Sequence, residues 1–192
     1  MPNIRKAVKS DFDFIAEAII ESEKSGSNIF PYGVLFDVSE MEFKGVLQQI
    51  FEEEIEGQPW DYNSWYILEN DANETAAALC TWQEGSAGMS SDLLKTQSLG
   101  FVLGEKWHNN TDKLEVVSRV NIPRKNGTWQ LEHLYTLENH RGNGYMNQLI
   151  EFASEGKSSE IQLMENNVAA KKLYEKCGFS LEIKQCEPQI ER

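Results

Sequence analysis

Apolar residues in the first part of the chain recur at spacings that predict a strand followed by two helices. Ile4–Val8 has the pattern of a short strand. Ser10 with Asp13 resembles a capping box at the start of a helix. The apolar residues of this helix that share one face are Phe12, Ile15, Ile19 and Ile20.

A second helix is predicted to begin at Ser39, because Glu42 three residues later completes another capping box. Its apolar residues at helical spacing are Phe43, Val46, Leu47, Ile50 and Phe51. The polar and glycine-containing stretch between the two helices, 26–38, is predicted to be a loop.

The middle of the chain predicts a hairpin and then a less regular segment. Trp65–Glu69 and Thr75–Trp82 are β-prone runs on either side of a polar turn. Residues 90–107 have partial helical periodicity, whereas 114–122 fit a helix or a strand. We therefore expect a partly helical insertion at about 84–127.

The last third predicts strand, glycine loop, helix, strand and helix. The expected elements are a strand Thr128–Leu137, a helix from Tyr145 to about Gly156, a strand Ile161–Met164, a helix Val168–Lys176 and a final strand Leu181–Gln185. Alternating strands and helices of this kind are typical of an α/β fold.

Length and charge narrow the class of protein. With 192 residues and 40% hydrophobic residues, the chain suits a single globular domain, residues 1–192. A net charge of -13 repels nucleic acids and anionic membrane surfaces, so neither is an expected partner. The 11 basic and 23 acidic side chains of residues 1–140 contrast with 7 and 8 in residues 141–192, which places any anion site late in the chain.

Localisation and metal content follow from what the sequence lacks. No apolar run approaches the roughly 20 residues that span a bilayer, and the first residues contain no apolar signal-peptide core. The three cysteines and three histidines are scattered without zinc-site spacing. We expect a cytoplasmic protein with no metal.

The glycine loop has the composition of a phosphate site. Gly142 and Gly144 allow successive backbone N–H groups to turn toward one point at the positive end of the following helix, next to Arg141. By itself the loop also fits a tight strand-to-helix turn that binds nothing.

A second motif favours a phosphate site over a turn that binds nothing. Asn167, Ala170, Leu173 and Tyr174 lie one helix and one strand after the loop. Together with Arg141-Gly-Asn-Gly-Tyr-Met146, they resemble the GNAT superfamily of acetyl-CoA-dependent N-acetyltransferases, most strongly over 131–179. The resemblance implies a GNAT-like fold with a central mixed β-sheet and helices on both faces, and transfer of an acetyl group from acetyl-CoA to a primary amine by direct attack.

The resemblance also assigns roles to residues. The coenzyme A-binding residues it implies are Leu134, Tyr135, Thr136, Arg141, Gly142, Asn143, Gly144, Tyr145, Met146, Asn167 and Ala170. Tyr174 would give a proton to the departing thiolate, although its spacing also fits helix packing.

Glu132, nine residues before Arg141, is the candidate that binds or deprotonates the amine; the alternative is a solvated strand glutamate. Strand alternation places His133 on the opposite face in a structural role, unless a β-bulge reverses the assignment.

Two features of the chain leave alternatives open, one in the glycine loop and one at the edge of the sheet. Met146 stands where the family has a small residue, and its bulk would crowd the pyrophosphate. Few residues follow Phe179, so the closing edge of the sheet is either open or filled by a second copy, which would make a homodimer. A catalytically inactive coenzyme A sensor or interaction module, and a structural domain with no ligand, are the competing functions. The acceptor is a small-molecule or peptide amine that the sequence does not identify.

Overall fold

A computed structural model describes residues 2–24, 27–118, 122–164 and 166–182 of the chain, without the side chains of 115–118. Within these residues the strands are β1 (Asn3–Lys6), β2 (Trp65–Glu69), β3 (Thr75–Gln83), β4 (Trp129–Thr136) and β5 (Ser159–Ile161). They form one sheet in chain order. Strands β1 to β4 are antiparallel to their neighbours, whereas β5 is parallel to β4, so the sheet is mixed as expected.

Helices cover both faces of this sheet. The described helices are α1 (Phe12–Glu23), α2 (Pro31–Phe36), α3 (Glu40–Glu52), α4 (Ser91–Leu103), α5 (Glu105–His108), α6 (Thr111–Ser118), α7 (Tyr145–Ser154) and α8 (Val168–Lys176). Buried residues of α1, α3 and α4 form one core with Trp65 and Ile67 of β2. Buried residues of α7 form a second core on the opposite face, with Leu68 and Leu131. The fold-class prediction is therefore confirmed.

The two predicted capping boxes have different outcomes. The one at Ser10 and Asp13 is wrong, because a 3-10 turn over Lys9–Asp11 precedes α1 and no side chain caps that helix. Ser39 caps α3 as predicted: its hydroxyl accepts from the Glu42 amide, and the Glu42 carboxylate accepts from the Ser39 amide at 2.7 Å. The loop prediction for 26–38 is wrong in part, because α2 lies within it. Pro31 at its first turn preorganises the backbone, and Asp37 ends it in a left-handed conformation at φ 53°.

The end of the sheet also differs from the prediction. The strand expected at Ile161–Met164 is observed earlier, at Ser159–Ile161, because its parallel register is set by the first three residues of β4, Trp129–Leu131. Residues 181 and 182 have no regular structure, and the rest of the strand predicted at Leu181–Gln185 lies outside the described residues.

In the described part of the segment 84–127 there are three helices, α4, α5 and α6. Its start is tied down by Glu84, a buried carboxylate that accepts from the Ser91 amide and hydroxyl at 2.9 and 2.6 Å. Residues 114–118, for which the sequence left helix or strand open, are helical within α6. Residues 119–121 lie outside the described part of the chain.

A charged cluster joins β1, β2 and the start of α1. The Arg5 guanidinium donates to both oxygens of the nearly buried Asp11 at 2.7 and 2.9 Å and to Glu69 at 2.7 Å. The Val8 amide donates to Asp11 as well. Burial raises the pKa of Asp11, but the hydrogen bonds from Arg5 and the Val8 amide, with the charge of Arg5, together outweigh burial and leave that pKa lowered.

Asp11→Asn should lower the free energy of unfolding by about 1–3 kcal/mol at pH 7, since it removes charge-assisted hydrogen bonds. Because the pKa of Asp11 is lower in the folded protein, its contribution is present above the unfolded pKa of about 3.9 and is lost as the pH falls further. Urea unfolding between pH 3 and pH 7 tests both points. The matched control is Asp13→Asn, an exposed position on α1 expected to stay within about 0.5 kcal/mol. Equal losses in the two variants would contradict the prediction.

Candidate functional site

The loop between β4 and α7 turns through two glycines in left-handed conformations. Gly142 has φ 83° and Gly144, which caps α7, has φ 75°. A Cβ at either position would meet no atom within 4 Å. Glycine is therefore required by the backbone conformation and not by crowding, and the loop faces open space.

The amide groups of this loop have no acceptors among the residues that the structure describes. From Gly142 to Asn147, no backbone N–H donates to another residue within the described chain, and the first amide of α7 that does so is that of Gln148, to the Gly144 carbonyl. Arg141 is exposed, and its Nε donates to the Thr136 carbonyl at 3.2 Å, beside the loop. Free amides at a helix N-terminus with an arginine next to them can bind an anion such as a diphosphate.

Met146 does not crowd this loop. Its side chain is buried in the core between α7 and the sheet, so the expectation of a clash with the pyrophosphate is wrong. The helical periodicity of α7 explains this, since Met146, Leu149 and Ile150 share its buried face.

Strand β4 has an open edge next to the loop. Its pairing with β5 ends at Leu131 opposite Ile161, whereas Tyr135 and Thr136 stay paired with β3. The peptide groups of Leu134–Thr136 that face away from β3 consequently have no strand partner in β5 and could pair with an extended ligand, although the Thr136 carbonyl already accepts from Arg141 Nε. The Tyr135 side chain is engaged elsewhere: its hydroxyl donates to Glu17 of α1 at 2.9 Å.

Helix α8 presents the second motif. The Asn167 side chain caps this helix, accepting from the Ala170 amide at 3.0 Å. Tyr174 is half-buried against the α7-side core, with Leu134 and Tyr145 among its partly buried members. Burial raises the pKa of Tyr174 to about 12.

Glu132 and His133 lie on the same side of the sheet, contrary to simple alternation. The register of β3 against β4 shifts between Ala78 and Cys80, and His133 adopts φ 51°. This is the β-bulge that the sequence left open, and it turns both side chains toward the face that bears α1. Tyr174 is on the other face, so the structure places the two catalytic candidates on opposite sides of the sheet.

Glu132 is held by an arginine from the 84–127 segment. Arg124, whose side chain is 7% exposed, forms ion pairs with Glu132 and with Asp92 of α4. One Glu132 oxygen contacts Arg124, and the other lies 3.8 Å from His133 Nε2. Glu132 is therefore not a solvated strand residue.

Lys95 and Glu23 extend this polar layer. The Lys95 ammonium lies 3.5 Å from a Glu23 oxygen and 4.5 Å from the centre of the Trp60 ring. The Tyr32 hydroxyl donates to the same Glu23 oxygen at 3.2 Å. Burial raises the pKa of Glu23, but the charges of Lys95 and His133 and the hydrogen bonds from Tyr32 and Lys95 together leave that pKa lowered.

Sequence reasoning missed Arg124, Lys95 and Glu23. The sequence offered no signal for them, because no motif spacing connects these residues to Glu132 or His133.

Within the described residues, no group of three or more acidic, histidine or cysteine side chains could hold a metal ion. Among the same residues, no helix has the length and apolar character needed to cross a membrane.

Comparisons with known proteins agree with this geometry. Residues 97–181 match the family model of the acetyltransferase (GNAT) domain, which extends the expected resemblance toward the N-terminus. A streptothricin acetyltransferase from Escherichia coli is 36% identical over 77 residues, which cover 35% of this chain and 42% of that protein. The chain thus matches less than half the length of that relative.

Solved structures share the fold at low sequence identity. An N-acetyltransferase from Staphylococcus aureus Mu50 matches with a TM-score of 0.63 and 16% identity, over 94% of this chain and 91% of the other. A predicted acetyltransferase with acetyl-CoA from Clostridium acetobutylicum matches with a TM-score of 0.52 and 13% identity, over 99% and 97%. The sheet and helices are those of a GNAT fold.

Lys95→Met should raise the pKa of His133 toward its ordinary value of about 6.5. Burial lowers the pKa of this imidazole, and the positive charge of Lys95 lowers it further. NMR titration of the His133 ring protons, assigned by their absence in His133→Asn, measures the shift. Lys106→Met, which removes an exposed ammonium that contacts the Asp37 carbonyl, is the control with no expected shift. A pKa that stays constant or falls in Lys95→Met would show that the two groups do not interact.

Proposed function

We propose, since residues 97–181 match the model of the acetyltransferase (GNAT) domain, that the protein transfers an acetyl group from acetyl-CoA to a primary amine of a small molecule or peptide. The observation that carries the proposal is the run of free amides from Gly142 to Asn147 beside the open edge of β4. A diphosphate and the extended arm attached to it need donors arranged in this way.

Coenzyme A would contact the loop and the strand together. The amides of Gly142, Asn143, Gly144, Tyr145 and Met146, with the Arg141 guanidinium, would hold the pyrophosphate. The peptide groups of Leu134, Tyr135 and Thr136 would pair with the pantetheine arm, and Asn167 and Ala170 would flank it.

The two catalytic candidates suit a thioester placed in the gap between β4 and β5. Glu132 lies on the α1 side of β4, opposite Cys80, and Tyr174 packs on the α7 side. The amine would approach from one face, bound by Glu132, while the thiolate leaves toward Tyr174 on the other face. Direct attack in a ternary complex then needs no covalent enzyme intermediate.

Proton transfer from Tyr174 to the departing thiolate is unfavourable in free energy. An alkyl thiolate has a pKa of about 8.5, so transfer from a phenol of pKa about 12 is uphill by roughly 5 kcal/mol. Protonation of the thiolate must therefore accompany or follow loss of the excess proton from the amine nitrogen, because that nitrogen is a far stronger acid in the tetrahedral intermediate.

The acceptor is proposed as a cationic amine. The strong net negative charge of the chain favours approach of a cation. Streptothricin belongs in the acceptor screen because the curated relative carries its name, alongside polyamines, aminoglycosides and peptide amines.

The remaining proposals concern the whole chain. We propose one domain over residues 1–192 with the insertion at 84–127, in the cytoplasm and without a metal, with a homodimer as the form that would complete the sheet edge. The inactive-module alternative loses one of its supports, because Met146 points into the core.

Gly144→Ala should weaken acetyl-CoA binding at least about tenfold, because the added methyl group stands in the open space next to the free amides. Gly156→Ala is the matched control: its glycine also has a positive φ, 67°, and open space, but it follows the far end of α7. Isothermal titration of wild type and both variants with acetyl-CoA measures the effect. Equal affinities in the three proteins would remove the loop from the site, and no binding to wild type would end the transferase proposal.

Tyr174→Phe should reduce turnover by about 10²-fold with an unchanged acetyl-CoA dissociation constant, because only proton donation is lost. Since the pKa of Tyr174 is about 12, the wild-type rate should show no alkaline loss from this group below pH 11. Tyr66→Phe removes a hydroxyl on the same face of the sheet and is expected to leave turnover unchanged. Steady-state kinetics between pH 6 and pH 10.5 test this, and a Tyr174→Phe rate equal to wild type would exclude the role.

A further inference from the structure

The glycine loop contains one of the two Asn-Gly pairs in the chain, Asn143–Gly144; the other is Asn126–Gly127. An asparagine followed by glycine is especially labile, because glycine has no Cβ to hinder attack of its backbone nitrogen on the asparagine side chain. Both glycines also have a positive φ, 75° at Gly144 and 84° at Gly127. The two pairs therefore share their intrinsic chemistry and differ in their surroundings.

The nitrogen that would react is free at Gly144 and engaged at Gly127. Within the described residues, the Gly144 N–H donates to no other residue. The Gly127 N–H donates to the Glu84 carbonyl at 2.9 Å. A hydrogen-bonded N–H has to leave its acceptor before the nitrogen can lose its proton and attack, so Gly127 is protected and Gly144 is not.

The two asparagine side chains also differ in the space around them. Asn143 and Gly144 are exposed, and a Cβ at Gly144 would meet no atom within 4 Å. Asn143 Nδ2 donates to the His140 carbonyl at 3.0 Å, which occupies the amide nitrogen but not the Cγ carbon. Asn126 lies so closely against Gly85 that a Cβ there would collide with its side-chain amide. Ring closure has open space at Asn143, whereas Asn126 would first have to move off Gly85.

The charge around Asn143 favours the reaction. Negative charge develops first on the Gly144 nitrogen and then on Asn143 Oδ1 as the new bond forms. Gly144 is the N-cap of α7, whose first amides have no acceptor in the described part of the chain, and Arg141 precedes Asn143 by two residues. The positive end of a helix and a guanidinium both stabilise an anion at this position.

We propose that Asn143 is a site of spontaneous deamidation and that a diphosphate bound in the glycine loop suppresses the reaction. The second half of this inference rests on the proposed binding of acetyl-CoA, whereas the first half does not. A phosphate oxygen that accepts from the Gly144 N–H would engage the nucleophile, as the Glu84 carbonyl does at Gly127. The cofactor-free protein then loses its cofactor site with time, and the cofactor-bound protein keeps it.

The atoms of the reaction balance with water as the co-reactant. Hydroxide removes the Gly144 N–H proton, and the nitrogen forms a bond to Asn143 Cγ. The carbon–nitrogen bond of the side-chain amide breaks, and ammonia leaves with a proton from water, which restores the hydroxide and gives a cyclic imide. Water then opens the imide at either carbonyl and yields aspartate or isoaspartate. The net change converts one amide and one water into a carboxylate and an ammonium ion.

Either product would weaken the anion site. The new carboxylate stands between Gly142 and Gly144 and repels a diphosphate held by the amides of the loop. Isoaspartate also adds a carbon atom to the backbone, which displaces the amides that follow it. Deamidation therefore acts on the same groups that are proposed to bind the cofactor.

Peptide mass spectrometry of the full-length wild-type protein, incubated without ligand at pH 8, tests the site itself. Asn143 should convert to aspartate and isoaspartate at least about fivefold faster than Asn126, because only at Gly127 does a hydrogen bond have to open first. Asn143→Gln, whose imide would need a larger ring, should abolish the mass change of that peptide. An Asn143 rate equal to or below that of Asn126 would overturn the proposal.

The same incubation with acetyl-CoA tests the suppression. At about 100 times its dissociation constant, acetyl-CoA leaves about 1% of the loop free, so conversion of Asn143 should slow about 10²-fold while that of Asn126 stays unchanged. An unchanged Asn143 rate in protein that titration shows to be loaded would overturn the suppression. Fresh protein that binds no acetyl-CoA would instead end the proposed function, and the ligand-free rate of Asn143 would still decide the deamidation.

Isothermal titration of Asn143→Asp with acetyl-CoA measures the consequence. The affinity should fall at least about tenfold, since a carboxylate replaces a neutral amide next to the diphosphate. Asn126→Asp adds the same charge at the other pair and is the matched control, expected to bind as wild type does. Thermal unfolding of both variants verifies that they are folded. Equal affinities of the two folded variants would contradict the loss of the cofactor site on deamidation.

Discussion

Strand β4 pairs with β3 along more of its length than with β5, and the candidate site depends on this difference. Its pairing with β3 continues to Thr136, whereas its pairing with β5 stops at Leu131. An edge that opens in the middle of a sheet leaves peptide groups to be satisfied by something other than a strand. The glycine loop follows at the end of that edge, so the free amides of the loop and of the strand line one path along the protein.

The bulge at His133 resolves a geometric conflict within the same strand. Alternation alone would put Leu131 and His133 on one face, next to the α7 core. The extra residue instead turns Glu132 and His133 together toward α1, and Leu134 returns to the α7 side. One strained residue thus separates a carboxylate and imidazole pair on one face from the Tyr174 phenol on the other, with the open edge between them.

Local patterns were sufficient for most of the fold and for part of the site. The capping box at Ser39, the β2–β3 hairpin and the bounds of α8 follow from short-range signals, and so do the two glycines that the loop backbone requires. Helix α2 was missed because six residues offer too little periodicity. The side of the sheet that His133 occupies depends on a register shift, and the partners of Glu132 come from residues distant in sequence, which no local pattern encodes.

The charges that Arg124 and Lys95 bring to the sheet have a consequence for the segment that contains them. Glu84 anchors one end of 84–127, and Arg124 neutralises Glu132 near the other, while Lys95 neutralises Glu23 of α1. Removing either cation would leave a carboxylate desolvated and unpaired. The segment therefore cannot be inserted or removed independently of the rest of the chain. Any exchange for a different insertion, in the laboratory or over evolutionary time, has to carry compensating changes in β4 and α1 with it.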